Sequence, residues 1–272
     1  MFVKLDVDYT MKVPFAPRKK VSSKLVKVGI VFIDNCFFYS FFKQDGELVC
    51  GKVEDRMQLE KQLSQQFQLE AKHLLYISVL PIHLVWHKRY LCPQSLTQYE
   101  VAQQVYSMLE NDVPNDGMPI WFDYVYQGQQ IDLYVVKQKN AEAELAKYRQ
   151  FDLNILDVLP RVLFRAFYYE IQPDKTETLL YCYCAEQTIF ILYSSLKTEI
   201  VVSQSSLAQS WSRFQERFAN RFSKMVIYQE QSEERDLSQL GLPENHILLE
   251  AKAQYAFLSL GCALWGEGIG AK

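Results

Sequence analysis

Apolar positions alternate along the first clearly patterned stretch of the chain. Val26, Val28, Ile30 and Phe32 share one face of an extended segment, and Phe37 to Phe42 form a second, aromatic strand. Asp45-Gly46 reads as a turn, with Glu47 to Cys50 continuing the sheet beyond it. The period then changes. Leu59, Leu63 and Phe67 recur at helical spacing across Glu54 to Leu69. His73 to Leu80 is a nearly continuous apolar run closed by Pro81, which predicts a strand buried on both faces. Leu84 to Leu91 predicts a further strand. Ser95, with Gln98 three residues on, has capping-box spacing and opens a helix whose apolar face is Val101, Val105, Met108 and Leu109. Pro114 to Pro119 is a turn-rich break. Trp121 to Tyr126 and Ile131 to Val136 predict a hairpin around Gln127-Gly128. A short helix over Asn140 to Gln150 and a short strand over Leu153 to Leu156 follow, and Asp157 reads as the N-cap of a helix from Val158 to Tyr169.

A second run of elements opens after the polar break Gln172 to Glu177. Thr178 to Cys184, Thr188 to Tyr193 and Thr198 to Ser203 predict three consecutive strands. Ser205 to Phe222 predicts a helix with Leu207, Trp211, Phe214, Phe218 and Phe222 in one stripe. Met225 to Tyr228 is a strand, Gln229 to Glu244 a polar loop, and Glu250 to Trp265 a mostly apolar helix. Small residues at Ala256, Ser259, Gly261 and Ala263 suit that helix to close packing. Each half begins with consecutive strands and then alternates, a duplicated α/β layout. At the N-terminus, Pro14, Pro17 and the run Arg18-Lys19-Lys20 predict an extended, solvated tail over residues 1–24, with Met11 a candidate start.

Composition narrows the function classes. Lys and Arg number 29 against 32 Asp and Glu, for a net charge of −3 over 272 residues, which argues against a broad electrostatic nucleic-acid binder. The 49% apolar content is that of a globular chain. Cysteines stand at 36, 50, 92, 182, 184 and 262, without a C-x-x-C pair, and Met1 to Lys20 carries no apolar signal core. The expectation is reduced, mostly buried thiols in a cytoplasmic protein. The run Val28 to Phe42, broken by Asp34 and Asn35, is shorter than the roughly 20 apolar residues that cross a bilayer.

Motifs for common chemistries are missing. Neither G-x-x-x-x-G-K-[ST] nor G-x-G-x-x-G is present, and there is no G-x-S-x-G nucleophile elbow. His83 and His87 have a spacing open to metal binding but no third ligand near them in sequence, so surface histidines are expected. Cys182 and Cys184 share a strand face and read as a buried pair. Arg213-Phe214, Arg217-Phe218 and Arg221-Phe222 interleave base and aromatic in the manner of a single-strand binder, but an amphipathic helix packed on a sheet explains the same residues and is the expected reading. Asp34 and Asp123 are the carboxylates in the most pointed contexts, and turn and surface roles are expected for them. No catalytic, cofactor-binding or metal-ligating residue is expected.

Several stretches together resemble PilM, the actin-like cytoplasmic component of type IV pilus machines. They are Lys27-Val28-Gly29-Ile30 with the strand and turn after it; Leu80-Pro81 through Leu91 with Leu96, Tyr99 and Glu100; and Trp121-Phe122-Asp123-Tyr124. Lys147 to Phe167, with Leu156-Asp157-Val158 and Arg165-Ala166, and the ending Tyr255 to Gly266 complete the set in the same order. Short length and divergence resemble the HofM and ComA branch, linked to natural transformation and DNA uptake. The resemblance implies a duplicated actin-like (ribonuclease H-like) fold. Its parts would be a first core subdomain over 25–83, an inserted αβ subdomain over 84–150, a return over 151–172, a second core subdomain over 173–249, a C-terminal helix over 250–266 and a tail over 267–272.

Departures from that family bear on chemistry. Where it carries a phosphate loop resembling G-I-D-I-G-S-S, this chain runs Gly29 to Asn35, with Val31 at the acidic position and Ile33 at the second glycine. The second loop falls near Tyr181-Cys182-Tyr183-Cys184, with neither acid nor glycine, and Gln229 to Glu244 replaces the glycine-rich adenosine loop. An actin-type site needs a carboxylate for the metal and glycines for close backbone approach to phosphate. ATP hydrolysis is therefore expected to be lost, and no cofactor is expected. The resemblance implies a non-enzymatic scaffold on the cytoplasmic face of the inner membrane, peripheral to it. Its partner would be the N-terminal tail of a PilN-like (ComB-type) bitopic protein, held through a groove whose candidate residues are Leu84, Trp86, Tyr99 and Tyr106. Two readings stand beside it: a nucleotide-dependent switch of the same machine, and a single-stranded DNA-binding competence factor.

Overall fold

The computed structural model describes residues 3–5, 25–114, 117–127, 129–174, 176–185, 187–193, 198–230, 241–250 and 256–267. In chain order the elements are β1 (Val3–Leu5), β2 (Val26–Ile33), β3 (Cys36–Phe42), β4 (Leu48–Val53), α1 (Arg56–Phe67), β5 (Leu74–Leu80), β6 (Val85–Leu91), α2 (Gln98–Asn111), β7 (Ile120–Gln127), β8 (Gln130–Lys137) and α3 (Gln138–Lys147). They continue with β9 (Ile155–Val158), α4 (Leu159–Ile171), β10 (Leu179–Cys184), β11 (Thr188–Tyr193), β12 (Thr198–Ser203), α5 (Leu207–Phe218), β13 (Lys224–Gln229), β14 (His246–Leu249) and α6 (Phe257–Ala263). Two compact units are formed, Met1–Val26 with Asp55–Leu159 and Lys27–Glu54 with Pro160–Lys272.

In the first unit, α1 begins where the Asp55 carboxylate accepts the Gln58 N–H at 2.8 Å, and it buries Leu59 and Leu63. β5 pairs in parallel with β9, Ile77 opposite Ile155 and Leu80 opposite Val158, and is buried on almost every residue. The continuous apolar run predicts that outcome. An antiparallel sheet in the order β1-β7-β8-β6 carries the insert. α2 seals one face of it, setting Val101, Val105 and Met108 against Phe122, Ile131, Leu133 and Val135. The other face is sealed at one end by Ala141 of α3 with Val136, Leu80 and Leu156.

The second unit holds the antiparallel strands β2, β3 and β4 and a sheet in the order β12-β11-β10-β13-β14. β10 is antiparallel to β11 and parallel to β13. α5 lays Leu207, Trp211 and Phe218 on Leu180, Phe190 and Ile227. All seven residues of α6 are buried. Gly29 lets it approach β2, because a Cβ there would stand 1.9 Å from the Ser259 carbonyl oxygen. Gly261 serves the same purpose against α4, where a Cβ would lie 2.1 Å from the Val162 carbonyl oxygen. Ser40 of β3 and Ser259 share a buried hydrogen bond of 2.6 Å, and Arg165 donates to the Gly261 carbonyl at 2.7 Å.

Several local expectations are corrected. Val3–Leu5, expected within a solvated tail, pairs with β7. The α2 capping box is Thr97 with Glu100, two residues beyond Ser95 and Gln98; Glu100 adds a negative charge at the positive end of the helix, which an amide cannot. Asp157 lies buried inside β9 rather than capping α4. α5 ends at Phe218 instead of Phe222, where Ala219 turns extended and Asn220 takes a left-handed conformation. β14 falls just after the segment expected to be a polar loop. α6 spans Phe257–Ala263 rather than Glu250 to Trp265, and residues 251–255 of the expected helix lie outside those described. Half of the six thiols are buried (Cys92, Cys182 and Cys262), and the other three are partly exposed.

Candidate docking surface and phosphate-loop positions

The insert places the four residues expected to touch a partner in different surroundings. Tyr99 and Tyr106 stand two helical turns apart on the outer side of α2, opposite the Val101, Val105 and Met108 stripe, and Tyr99 is 70% exposed. Trp86 lies partly buried in the apolar cluster beneath α2. Leu84, in the short 3-10 turn before β6, packs in the separate cluster of Leu80, Val136, Ala141 and Leu156. The structure thus brings Tyr99 and Tyr106 together and sets Leu84 and Trp86 apart from them.

The entry to α2 is held from the sheet, since the Leu96 N–H donates to the Tyr126 hydroxyl at 2.6 Å. Beyond the end that α3 covers, β6 and β8 carry a polar cluster. Asp132 accepts from Arg89 Nε at 2.8 Å, shares a 2.9 Å contact with His87 Nε2 and receives the Gln130 side-chain amide. The His87 ring stacks on Tyr134 with centroids 4.6 Å apart. Burial is the largest influence on Asp132 and would raise its pKa, but the bonds from His87, Arg89 and Gln130 outweigh it and hold the carboxyl below its ordinary value. Sequence reasoning missed this cluster; the alternation of His87 and Arg89 on one strand and Gln130 and Asp132 on another was its only signal.

The edge of β7 carries a strand from far away in sequence. Val3 lies opposite Phe122, Lys4 opposite Trp121 and Leu5 opposite Ile120, antiparallel. β1 covers three of the eight residues of β7.

The positions that the sequence resemblance aligns with phosphate loops are occupied by strand and core. Val31 is buried within β2, opposite Phe38, and Asp34 and Asn35 form the two-residue turn to β3 with φ of 50° and 60°. Both central residues at positive φ fit a tight hairpin of the primed type, to which Asp and Asn are suited. Gly29 faces α6 backbone in mid-strand. Tyr181, Cys182 and Tyr183 are buried in β10, and burial drives the Cys182 thiol well above its usual pKa. Burial likewise raises the Glu230 carboxyl, beside Tyr183. Within Gln229 to Glu244, residues 231–240 lie outside those described.

The remaining candidates resolve into structural contacts. His83 sits in the 3-10 turn and His87 in β6, and no metal-binding group of His, Cys, Asp or Glu occurs among the described residues. Arg217 and Arg221 both pair with Glu199 of β12, at 2.8 and 2.6 Å, and Arg213 lies over the Phe214 ring. Burial, the leading influence on Glu199, raises its pKa, but the two guanidiniums prevail and lower it. Asp123 lies in β7 opposite Tyr134. Among the described residues no helix is long and apolar enough to cross a membrane.

No family model matches the chain, and no curated protein matches it. Solved structures do. A chain of the PilM–PilN type IV pilus biogenesis complex aligns over 91% of this chain and 98% of its own, with a TM-score of 0.61 and 14% identity. The cytoplasmic domain of EpsL, an inner-membrane component of the Vibrio cholerae type II secretion system, aligns over the same shares at 14% identity and a TM-score of 0.51. What this chain has in common with both is the fold, the actin-like α/β arrangement.

Proposed function

We propose that the protein is a non-enzymatic scaffold of a type IV pilus or related assembly machine, working at the cytoplasmic face of the inner membrane and holding the N-terminal segment of a PilN-like bitopic protein. The observation that carries this is the near end-to-end likeness to a chain of the PilM–PilN complex. The EpsL likeness points to the same setting, since that protein is an inner-membrane component of a secretion machine. Val31, Ile33, Cys182 and Cys184 support the loss of nucleotide chemistry, because a magnesium–phosphate site needs a carboxylate and glycine backbone where these side chains stand. Within this reading the machine is a competence one, of the HofM and ComA kind, and the partner is ComB-type; that finer assignment rests on the sequence resemblance. The protein itself does not bind nucleic acid, in keeping with its net charge of −3 and the pairing of Arg217 and Arg221 with Glu199.

A thermal scan with ATP and magnesium tests the non-enzymatic part. A ligand at 100 times its Kd stabilises a native state by about 2.7 kcal/mol, so millimolar ATP that leaves the midpoint in place supports the scaffold. A rise of several degrees would favour the nucleotide switch. Deletion of the gene, scored for DNA uptake and for pilus motility, separates the competence assignment from a motility role.

A further inference from the structure

We propose that β14 is a self-association edge, on which a second copy of this chain pairs antiparallel about a two-fold axis through Leu248. Among the described residues β14 is the last strand of its sheet and bonds on one side only, to β13. The phase of that bonding fixes which main-chain groups remain. The Met225 N–H donates to the Asn245 carbonyl at 3.0 Å. Successive residues of a strand turn their N–H and C=O groups to opposite sides, so Asn245, Ile247 and Leu249 face β13. His246, Leu248 and Glu250 therefore present their main-chain donors and acceptors outward. β14 carries neither Lys nor Pro, the residues that commonly blunt an edge. The pairing stands independently of the partner's segment, and its failure leaves the scaffold function untouched.

The side chains of the edge select a second copy as its occupant. Leu248 lies opposite Ile227, on the sheet face where α5 builds its core, and it is 47% exposed. His246 and Glu250 are exposed and share that face by alternation. A two-fold axis normal to the sheet keeps like faces together, so each residue meets one from its own face. With the axis at Leu248, the two Leu248 side chains meet each other. His246 of each copy meets Glu250 of the other, and on the reverse face Ile247 meets Leu249. The three outward residues then exchange main-chain hydrogen bonds with their opposites. Neighbouring registers lack this match. An axis at Ile247 sets Glu244 against Glu250, and an axis at Leu249 sets Leu248 against Glu250. The His246 ring is already oriented. Its Nδ1 lies 2.8 Å from the Pro243 carbonyl, which only accepts, so Nδ1 carries the proton and Nε2 is left for the second copy. A protonated imidazole donates from Nε2 to the carboxylate opposite.

The test is sedimentation equilibrium of the full chain over about 1 µM to 1 mM. It is run at about pH 6, where an ordinary imidazole is largely protonated and a carboxylate ionised. The ladder is short, so the dimer is weak and fills toward the upper end of that range. Leu248→Lys should weaken it by about tenfold or more, because two ammonium groups then meet at the axis. His246→Glu and Glu250→Lys should each weaken it about tenfold, since the two-fold counts every loss twice. Combined in one chain, the same two substitutions should restore it to within about threefold of the parent, the opposite charges having exchanged places. All three positions are exposed, and a thermal scan checks that each variant is folded. In the parent, amide exchange at His246, Leu248 and Glu250 should slow as concentration rises, while Ile247 and Leu249, bonded to β13, stay unchanged. A parent that remains monomeric at about 1 mM overturns the proposal. So does a dimer indifferent to Leu248→Lys, or a charge-exchanged chain that pairs no more tightly than either single variant.

Discussion

Replacing Gly29 with Ala should destabilise the protein severely, and the reason lies in α6 rather than in any ligand. A Cβ at this position would fall 1.9 Å from the Ser259 carbonyl oxygen, 2.6 Å from the Ala263 nitrogen and 2.9 Å from the Cys262 Cβ. Real Cβ atoms essentially never come closer than 3.0 Å, so β2 and α6 must separate by about 1 Å or both must distort. Backbone on a buried helix cannot rotate away as a side chain can. α6 is also held on its far side, where Gly261 abuts the Val162 carbonyl and Arg165 donates to the Gly261 oxygen. Overpacking of a tight core costs roughly 1–3 kcal/mol, occasionally more, and the upper end, about 3 kcal/mol, applies to a clash with backbone on two atoms. For a chain of this size that is roughly 6–12 °C in Tm. Moving α6 would also stretch the buried Ser40–Ser259 hydrogen bond, which adds to the loss. Urea unfolding followed by far-UV circular dichroism reads the effect. Gly46→Ala is the control: it has nothing within 4 Å and a φ of +86°, so only the backbone term of about 1–2 kcal/mol should appear. A Gly29→Ala protein within about 0.5 kcal/mol of the parent would refute the close-approach argument and reopen a ligand-related role for this glycine.

Other expectations follow from the same geometry. Asp132→Asn should cost about 3 kcal/mol near neutral pH, because it leaves Arg89 short of its counter-charge in a mostly buried site. Since the folded-state pKa of Asp132 is lowered, its contribution is fully present above the unfolded value of about 3.9 and is lost as pH falls through the folded value. The parent-minus-variant difference in urea stability should thus be flat from neutral pH to about pH 5 and shrink below about pH 4; a difference that grows on acidification would contradict the assignment. Tyr181→Phe should leave stability unchanged or raise it by about 1 kcal/mol, because the hydroxyl is buried among Phe164, Phe167 and Tyr193 with no hydrogen-bond partner among the described residues. A loss of more than about 1 kcal/mol would mean the hydroxyl has a partner. Glu199→Gln should lower stability by less than about 1 kcal/mol, since Arg217 and Arg221 are half-exposed partners, and the effect should fade in high salt.

Long, strongly periodic segments were legible in the chain itself. The alternation in β2 and the continuous apolar run of β5 each mark a strand whose face or faces are buried, and burial is what writes those patterns. Short elements leave no such trace. Val3–Leu5 and His246–Leu249 are strands of three and four residues, too brief for a period, and both exist because a neighbouring edge recruits them. Ser95 with Gln98 and Thr97 with Glu100 have the same spacing, so spacing alone could not choose; the charge of Glu100 and the bonds it makes did. Gly29 is the instructive case. The resemblance places it at the start of a phosphate loop, and in the structure it is a contact point for α6. A close approach of two distant backbones has no local signal in sequence. The docking candidates behaved likewise. Tyr99 and Tyr106 share a face that helical spacing predicts, while the distance of Leu84 and Trp86 from that face depends on which cluster each strand end enters.

The most direct measurement of the central claim is calorimetric titration of a PilN-like cytoplasmic N-terminal peptide into the purified protein, run with and without ATP and magnesium. The scaffold account predicts saturable binding with the same affinity in both runs. No peptide binding, together with heat from nucleotide alone, would contradict it and put the nucleotide switch in its place.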